Sequence, residues 1–208
     1  MLPMTGTRIP QEERTRLMRQ RLLEATMQCL VDYGWNGTST TLVSKRAGVS
    51  RGAQLHHFPT KAALVTAAVE HLATRRSEQL AEAVTALPAG DNRTRTVLQM
   101  LADYVTSDLF VAALEVWTVA RTDPDLLAAV DPLEKMTGRL MHRLTVQILD
   151  VDESIPGSLE LVQATLDLLR GLGLANTITD DRTRRSRILD RWAEVLDEHL
   201  PRRNDASR

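Results

Sequence analysis

The segment 38–61, TSTTLVSKRAGVSRGAQLHHFPTK, constrains the chain most. Its spacing predicts two short helices joined by a glycine turn and closed by a Pro-Thr-Lys entry into a third. Thr41 is expected to cap the first helix, with Leu42, Val43, Arg46 and Ala47 continuing it and Gly48 ending it in the left-handed conformation glycine adopts at little steric cost. Val49 pins the turn, Ser50 caps a second helix over 51–57, and Phe58 closes the unit against its core. This layout is a helix-turn-helix, whose second helix enters a major groove of DNA by its first turn.

The pattern around it resembles the tetracycline-repressor (TetR) family of one-component transcriptional regulators. The resemblance covers roughly residues 14–70 and rests on Leu22, Ala25, Gly34, Trp35, Thr40, Thr41, Ala47, Gly48, Val49, Ser50, Gly52, His57, Phe58 and Lys61. Two positions depart from the pattern: Gln54 stands where the family usually has Leu, and Leu55 where it usually has a Tyr that touches the DNA backbone. The resemblance implies phosphate contacts at His57 and Lys61. It also implies a C-terminal ligand pocket whose occupation moves two heads apart and lowers operator affinity.

Composition agrees with a helical protein. Of 208 residues 43% are apolar and only 3% aromatic, with little strand-type alternation. The net charge of −1 is unevenly spread, because residues 1–61 carry nine Lys or Arg against four Asp or Glu, leaving 17 against 23 in the rest. A basic head on an acidic body suits an approach of the head to phosphates. Cys29 is the only cysteine, which excludes a disulfide framework, and it reads as a small buried hydrophobe on an apolar helix face. No signal-peptide pattern and no run of about 20 apolar residues occurs, so the expected location is cytoplasmic, with no membrane partner.

The predicted fold is all-α with about nine helices. It comprises a three-helix helix-turn-helix DNA-binding domain at 11–60 (motif about 41–60), a connecting helix at 61–87 and a regulatory and dimerisation domain at 88–200, with flexible tails at 1–10 and 201–208. A first helix over 11–33 carries the stripe Leu22, Ala25, Thr26, Cys29, Leu30 and Tyr33, and Gly34 ends it. Pro124 takes the first position of a helix capped by Asp123, and Pro132 either kinks that helix or divides it in two. A very apolar helix over 158–178 shows two stripes, and one core cannot cover both. Leu159, Val162, Leu166, Leu169 and Leu172 from it, with Ile188, Trp192, Val195 and Leu196 from the last helix, are therefore expected to pair two subunits through a four-helix bundle. Arg182, Arg184, Arg185, Arg187 and Arg191 interleave with Asp180, Asp181, Asp190 and Glu194, the pattern of a salt-bridged face.

Thr40, Ser50, His57 and Lys61 are the expected phosphate anchors, and Thr41 and Arg51 the expected base readers, Arg51 because its guanidinium can bridge guanine O6 and N7. Gly52 permits close backbone approach, Gln54 either pairs with adenine or faces inward, and Leu55 and His56 meet thymine methyls or sugar. Adjacent His56 and His57 point about 100° apart on a helix, which disfavours a metal site. In the C-terminal part Phe110, Leu114, Glu115, Trp117 and Thr118, with Met100, Tyr104, Met136, Met141 and His142, place a carboxylate and aromatics among flexible apolar groups suited to an adaptable pocket.

There is no nucleophile motif, phosphate loop or metal spacing, so neither an enzyme nor a cofactor is expected. The function read from the sequence is that of a homodimeric regulator, a repressor of palindromic operators in double-stranded DNA released by a small-molecule effector. The alternative is a helical small-molecule binding or sequestering protein that does not bind DNA.

Overall fold

The computed structural model describes residues 10–85 and 92–203, and among them nine helices and no strand beyond an isolated bridge. Two compact units divide at His71 and Leu72, within helix α4 (Lys61–Thr85).

In the first unit α1 (Gln11–Gly37) begins with Glu12 and Glu13, whose charges suit the positive end of a helix. Leu22, Ala25, Thr26, Cys29 and Leu30 are buried as their spacing predicts. Regular helix stops at Gly34, where φ is 63° and ψ −175°. Tyr33 does not complete the stripe: it is 53% exposed, and the Arg46 guanidinium lies 5.7 Å from its ring centre.

Helix α2 (Thr40–Ala47) starts earlier than expected. Ser39, not Thr41, has the extended backbone of a cap, and its Oγ accepts the Leu42 amide at 3.2 Å, leaving Thr40 and Thr41 helical. Gly48 takes the left-handed conformation, φ 63° and ψ 36°, and Val49 N donates to Ser44 O at 3.0 Å, the long bond of a Schellman ending. Ser50 caps α3 (Arg51–His57) through the Ala53 amide at 3.3 Å, and Thr60 caps α4 through the Ala63 amide at 3.0 Å. Leu64, Val65 and Ala68 at the start of α4 are buried and belong to the first unit.

The second unit packs α5 (Arg93–Val105), α6 (Asp108–Ala120), α7 (Pro124–Ile148), α8 (Ser158–Asn176) and α9 (Arg182–His199) around one apolar core. Asp123 caps α7 through the Leu126 amide at 3.0 Å, with Pro124 at the first turn, and Pro132 lies within a single helix. Asp197 of α9 accepts Thr94 of α5 and Arg202, the latter at 2.6 Å.

Residues 201–203, expected in a flexible tail, are tied down. Val151 bridges Arg202, Asp152 N donates to Pro201 O at 3.0 Å, and Arg203 N donates to Asp150 O at 2.9 Å. The rest of both expected tails, apart from Pro10, and the stop at Pro88-Ala89-Gly90 lie outside the described residues. No single described helix is long and apolar enough to cross a membrane.

Candidate nucleic-acid interface

The outer surface of the helix-turn-helix is set by which residues its short helices turn inward. Helix α3 buries one side chain, Gln54, which is fully enclosed and donates Nε2 to Phe58 O at 2.6 Å. Of the two alternatives for Gln54, pairing with adenine or facing inward, the structure has the inward one, with its one bonded amide hydrogen directed at the end of its own helix. With Gln54 as the keel, Arg51, Gly52, Leu55 and His56 are exposed and His57 is partly buried. Thr41 and Ser50 are exposed and Thr40 is partly buried. The rings of His56 and His57 meet edge-on with centroids 5.4 Å apart, and no described group of three or more His, Cys, Asp or Glu could hold a metal ion.

Charges on this unit divide into engaged and free. Arg46 donates to Asp32 Oδ2 at 2.6 Å and lies 3.7 Å from the buried Cys29 Sγ, which joins α2 to α1. Arg19 stacks over Phe58, 4.7 Å from the ring centre. Lys61, expected as a phosphate anchor, holds its ammonium 4.2 Å from the Trp35 ring centre and donates to Trp35 O, and burial pulls its pKa down. The side chains of Arg51 and Lys45 hold no hydrogen bond or ion pair among the described residues. Lys45, in the last turn of α2, is a surface cation that sequence reading missed, although the basic ending Lys45-Arg46 was its signal.

The matching family model describes bacterial regulatory proteins of the tetR family and covers residues 22–68, the span that builds this surface. The regulator CymR of Pseudomonas putida is 26% identical over 196 residues, covering 94% of this chain and 97% of its own. Residues 22–68 form a DNA-binding domain of the TetR family. A transcriptional regulator from Pseudomonas aeruginosa PAO1 shares the fold with a TM-score of 0.68 at 24% identity, covering 94% of this chain and 96% of that one. The multidrug binding protein EbrR in complex with ethidium shares it with a TM-score of 0.59 at 23% identity, over 84% and 97% of the two chains. With this domain and these relatives the protein is a helix-turn-helix DNA-binding regulator of transcription and not an enzyme.

In the second unit the ten residues expected around a ligand are not brought together. Phe110 and Met141 are in the core, with Met100, Tyr104, Leu114 and Trp117 packed against it and Phe110 edge-on to Trp117 at 6.0 Å. Glu115, Thr118 and Met136 are exposed, because the inward stripe of α6 is Leu109, Phe110, Ala112, Ala113, Val116 and Ala120 and that of α7 includes Val130 and Met141. His142 is engaged elsewhere, its ring nitrogens 2.8 Å from Glu153 Oε1 and from Gln163 Nε2.

Sequence reading missed Glu134, although the series Leu126, Val130, Glu134 and Met141 follows the helical period and would put it on the inward stripe of α7. Glu134 is half-buried and its carboxyl is raised by desolvation, with Arg170 pulling the other way. Burial also raises the Tyr104 hydroxyl, and the charge of Glu134 adds to the rise.

The expected subunit interface is likewise revised. Val162, Leu166, Leu169, Leu172 and Leu196 are buried in the protomer's own core and have no surface left for a twin. The Cβ of an alanine at Gly173 would meet the Val105 carbonyl and lie 2.7 Å from Phe110 Cε1, so α8 is closely packed there by its own chain. Leu159 is 48% exposed, and Ile188, Trp192 and Val195 are partly buried. Between α8 and α9 runs an open groove of about 600 Å³ lined by Leu168, Arg184, Arg187, Ile188, Arg191 and Trp192. Within the arginine cluster Arg182 pairs with Asp180, Arg184 and Arg185 with Asp181, and Arg191 with Glu194.

Proposed function

We propose that the protein is a homodimeric repressor that reads a palindromic operator with two copies of α3 and is released by a small-molecule effector. The observation that carries the reading is the outward face of α3, where exposed Arg51 has no partner among the described residues and stands beside Gly52, Leu55 and His56. A guanidinium without an internal partner at the start of such a helix is free to bridge guanine O6 and N7, with Thr41 as a second base reader, while Thr40, Ser50 and His57 position the head on phosphates. Gln54 is turned inward, so its departure from the family pattern does not alter the exposed face and lends no support to the non-DNA-binding alternative.

Pairing is assigned to the groove of α8 and α9, whose apolar floor of Leu168, Ile188 and Trp192 has a rim of three arginines. The effector reading is supported by the half-buried Tyr104 and Glu134, which could meet the polar end of an otherwise apolar molecule, and by the ethidium-bound EbrR of like fold. Release requires the effector to favour the spacing that cannot bind DNA, by a differential of about 1 to 3 kcal/mol.

The test is selection of fragments from a random DNA library by the purified protein, followed by gel shifts over a salt series. A two-fold symmetric site whose affinity falls steeply with salt is expected. Retention of no sequence at low ionic strength would refute the reading, and a strictly monomeric protein in sedimentation would refute the pairing.

A further inference from the structure

We infer that Gln54 is a positioning residue for DNA reading: by tethering the end of α3 to itself it fixes the direction in which Arg51, Leu55 and His56 leave the helix. The inference rests on the reading of α3 as the groove helix. A helix of seven residues is marginal by itself, since nucleation takes most of what its few internal bonds return. Both ends of α3 are instead held by side chains. Ser50 Oγ takes the Ala53 amide at the start.

At the other end Gln54 holds Phe58 twice: its carbonyl accepts the Phe58 amide at 2.8 Å, and its side-chain Nε2 donates to Phe58 O at 2.6 Å. Phe58 has left helical geometry, with φ −142° and ψ 96°, so its carbonyl has no place in the helical ladder. The clamp therefore sets the corner between α3 and Pro59-Thr60, where α4 begins.

The clamp carries a cost of its own. Gln54 Oε1 is buried without a hydrogen-bond partner among the described residues, and Leu or Met would remove that unpaired atom while leaving the Phe58 carbonyl without its side-chain donor. Rotating the amide does not help, because it would set the side-chain oxygen against the Phe58 carbonyl. A buried polar group kept at such a cost is explained by positional definition, as buried polar groups elsewhere fix register. A helix held at both ends meets the groove already ordered, and that advantage acts on base-specific contacts more than on charge-driven association.

The experiment uses the full-length protein with Gln54→Met, close in volume, and Gln54→Leu. Its probes are a fragment selected by the wild-type protein and a scrambled duplex of equal length. Expected are a little-changed midpoint of thermal unfolding, since one unpaired buried atom replaces another, affinity for the selected fragment reduced about fivefold or more, and affinity for the scrambled duplex within about twofold. Faster hydrogen exchange at the Phe58 amide should accompany the loss. Equal binding of the selected fragment by wild type and variants would overturn the inference. So would a parallel fall of unfolding midpoint and of both affinities, which marks a merely structural residue. Failure of the wild-type protein to select any fragment would instead overturn the DNA reading beneath it.

Discussion

Trp192 donates its indole N–H to Thr165 Oγ1 at 2.9 Å, and the same hydroxyl donates to Leu161 O at 2.8 Å, so the aromatic ring of α9 is oriented by a relay through α8. Thr165 is fully buried while Trp192 lines the α8–α9 groove, which links the protomer's interior to the surface proposed for pairing. Thr165→Val should lower stability by about 1 kcal/mol, since the indole N–H loses its acceptor, and urea unfolding measures it. Trp192→Ala should weaken self-association by about 2 kcal/mol or more if the ring is an interface anchor, read by sedimentation over a concentration series. An unchanged dimer in Trp192→Ala would move the interface elsewhere.

Gly173 and Gly171 lie two residues apart on α8 and should respond oppositely to alanine. A Cβ at Gly173 would collide with Val105 O and the Phe110 ring, whereas one at exposed Gly171 would meet nothing within 4 Å. Gly173→Ala should cost about 1 to 3 kcal/mol, because backbone and a packed ring must both shift. Gly171→Ala should stabilise by about 0.5 to 1 kcal/mol through helix propensity. Urea unfolding of the two variants checks both signs.

The head was legible because its signals are local. Gly48, Ser50 and Phe58 act through turn geometry and capping within a few residues, and they stand where the spacing put them. The cap at Ser39 was misread because three consecutive hydroxyl residues, Ser39, Thr40 and Thr41, can each serve, and tertiary packing of Val43 and Ala47 selects the register. The body was less legible because its helices are apolar on more than one side. Which stripe of α8 faces inward depends on neighbours distant in sequence, so Val162, Leu166 and Leu169 read equally well as a core or as an interface. Met136 stands out by residue type, whereas the helical period places Glu134 inward.

Arg51 and Lys45 should separate base reading from backbone contact. Both are exposed cations without a partner among the described residues, one opening α3 and the other in the last turn of α2. Arg51→Ala should cost about 1 to 3 kcal/mol on a selected site and relax preference at one base pair. Lys45→Ala should weaken selected and scrambled duplexes alike and lower the salt slope by about 1. Gel shifts over a salt series distinguish the two, and a uniform loss in Arg51→Ala would remove it from the base readers.

Glu134 gives the body a pH dependence whose sign follows from its burial. Desolvation makes ionisation harder in the folded protein than in the unfolded chain, and it outweighs the opposing pull of Arg170. The folded state then holds the proton more tightly, so stability is lost as pH rises from the ordinary carboxylate value through the raised one. Gln cannot ionise and escapes that loss. Glu134→Gln should therefore match the wild type in acid and exceed it progressively as pH rises, with the difference levelling once the wild-type carboxyl is fully ionised. Urea midpoints of both proteins from about pH 4 to 8 measure this. A variant that becomes relatively less stable with rising pH would show that the attraction of Arg170 prevails over desolvation at this site.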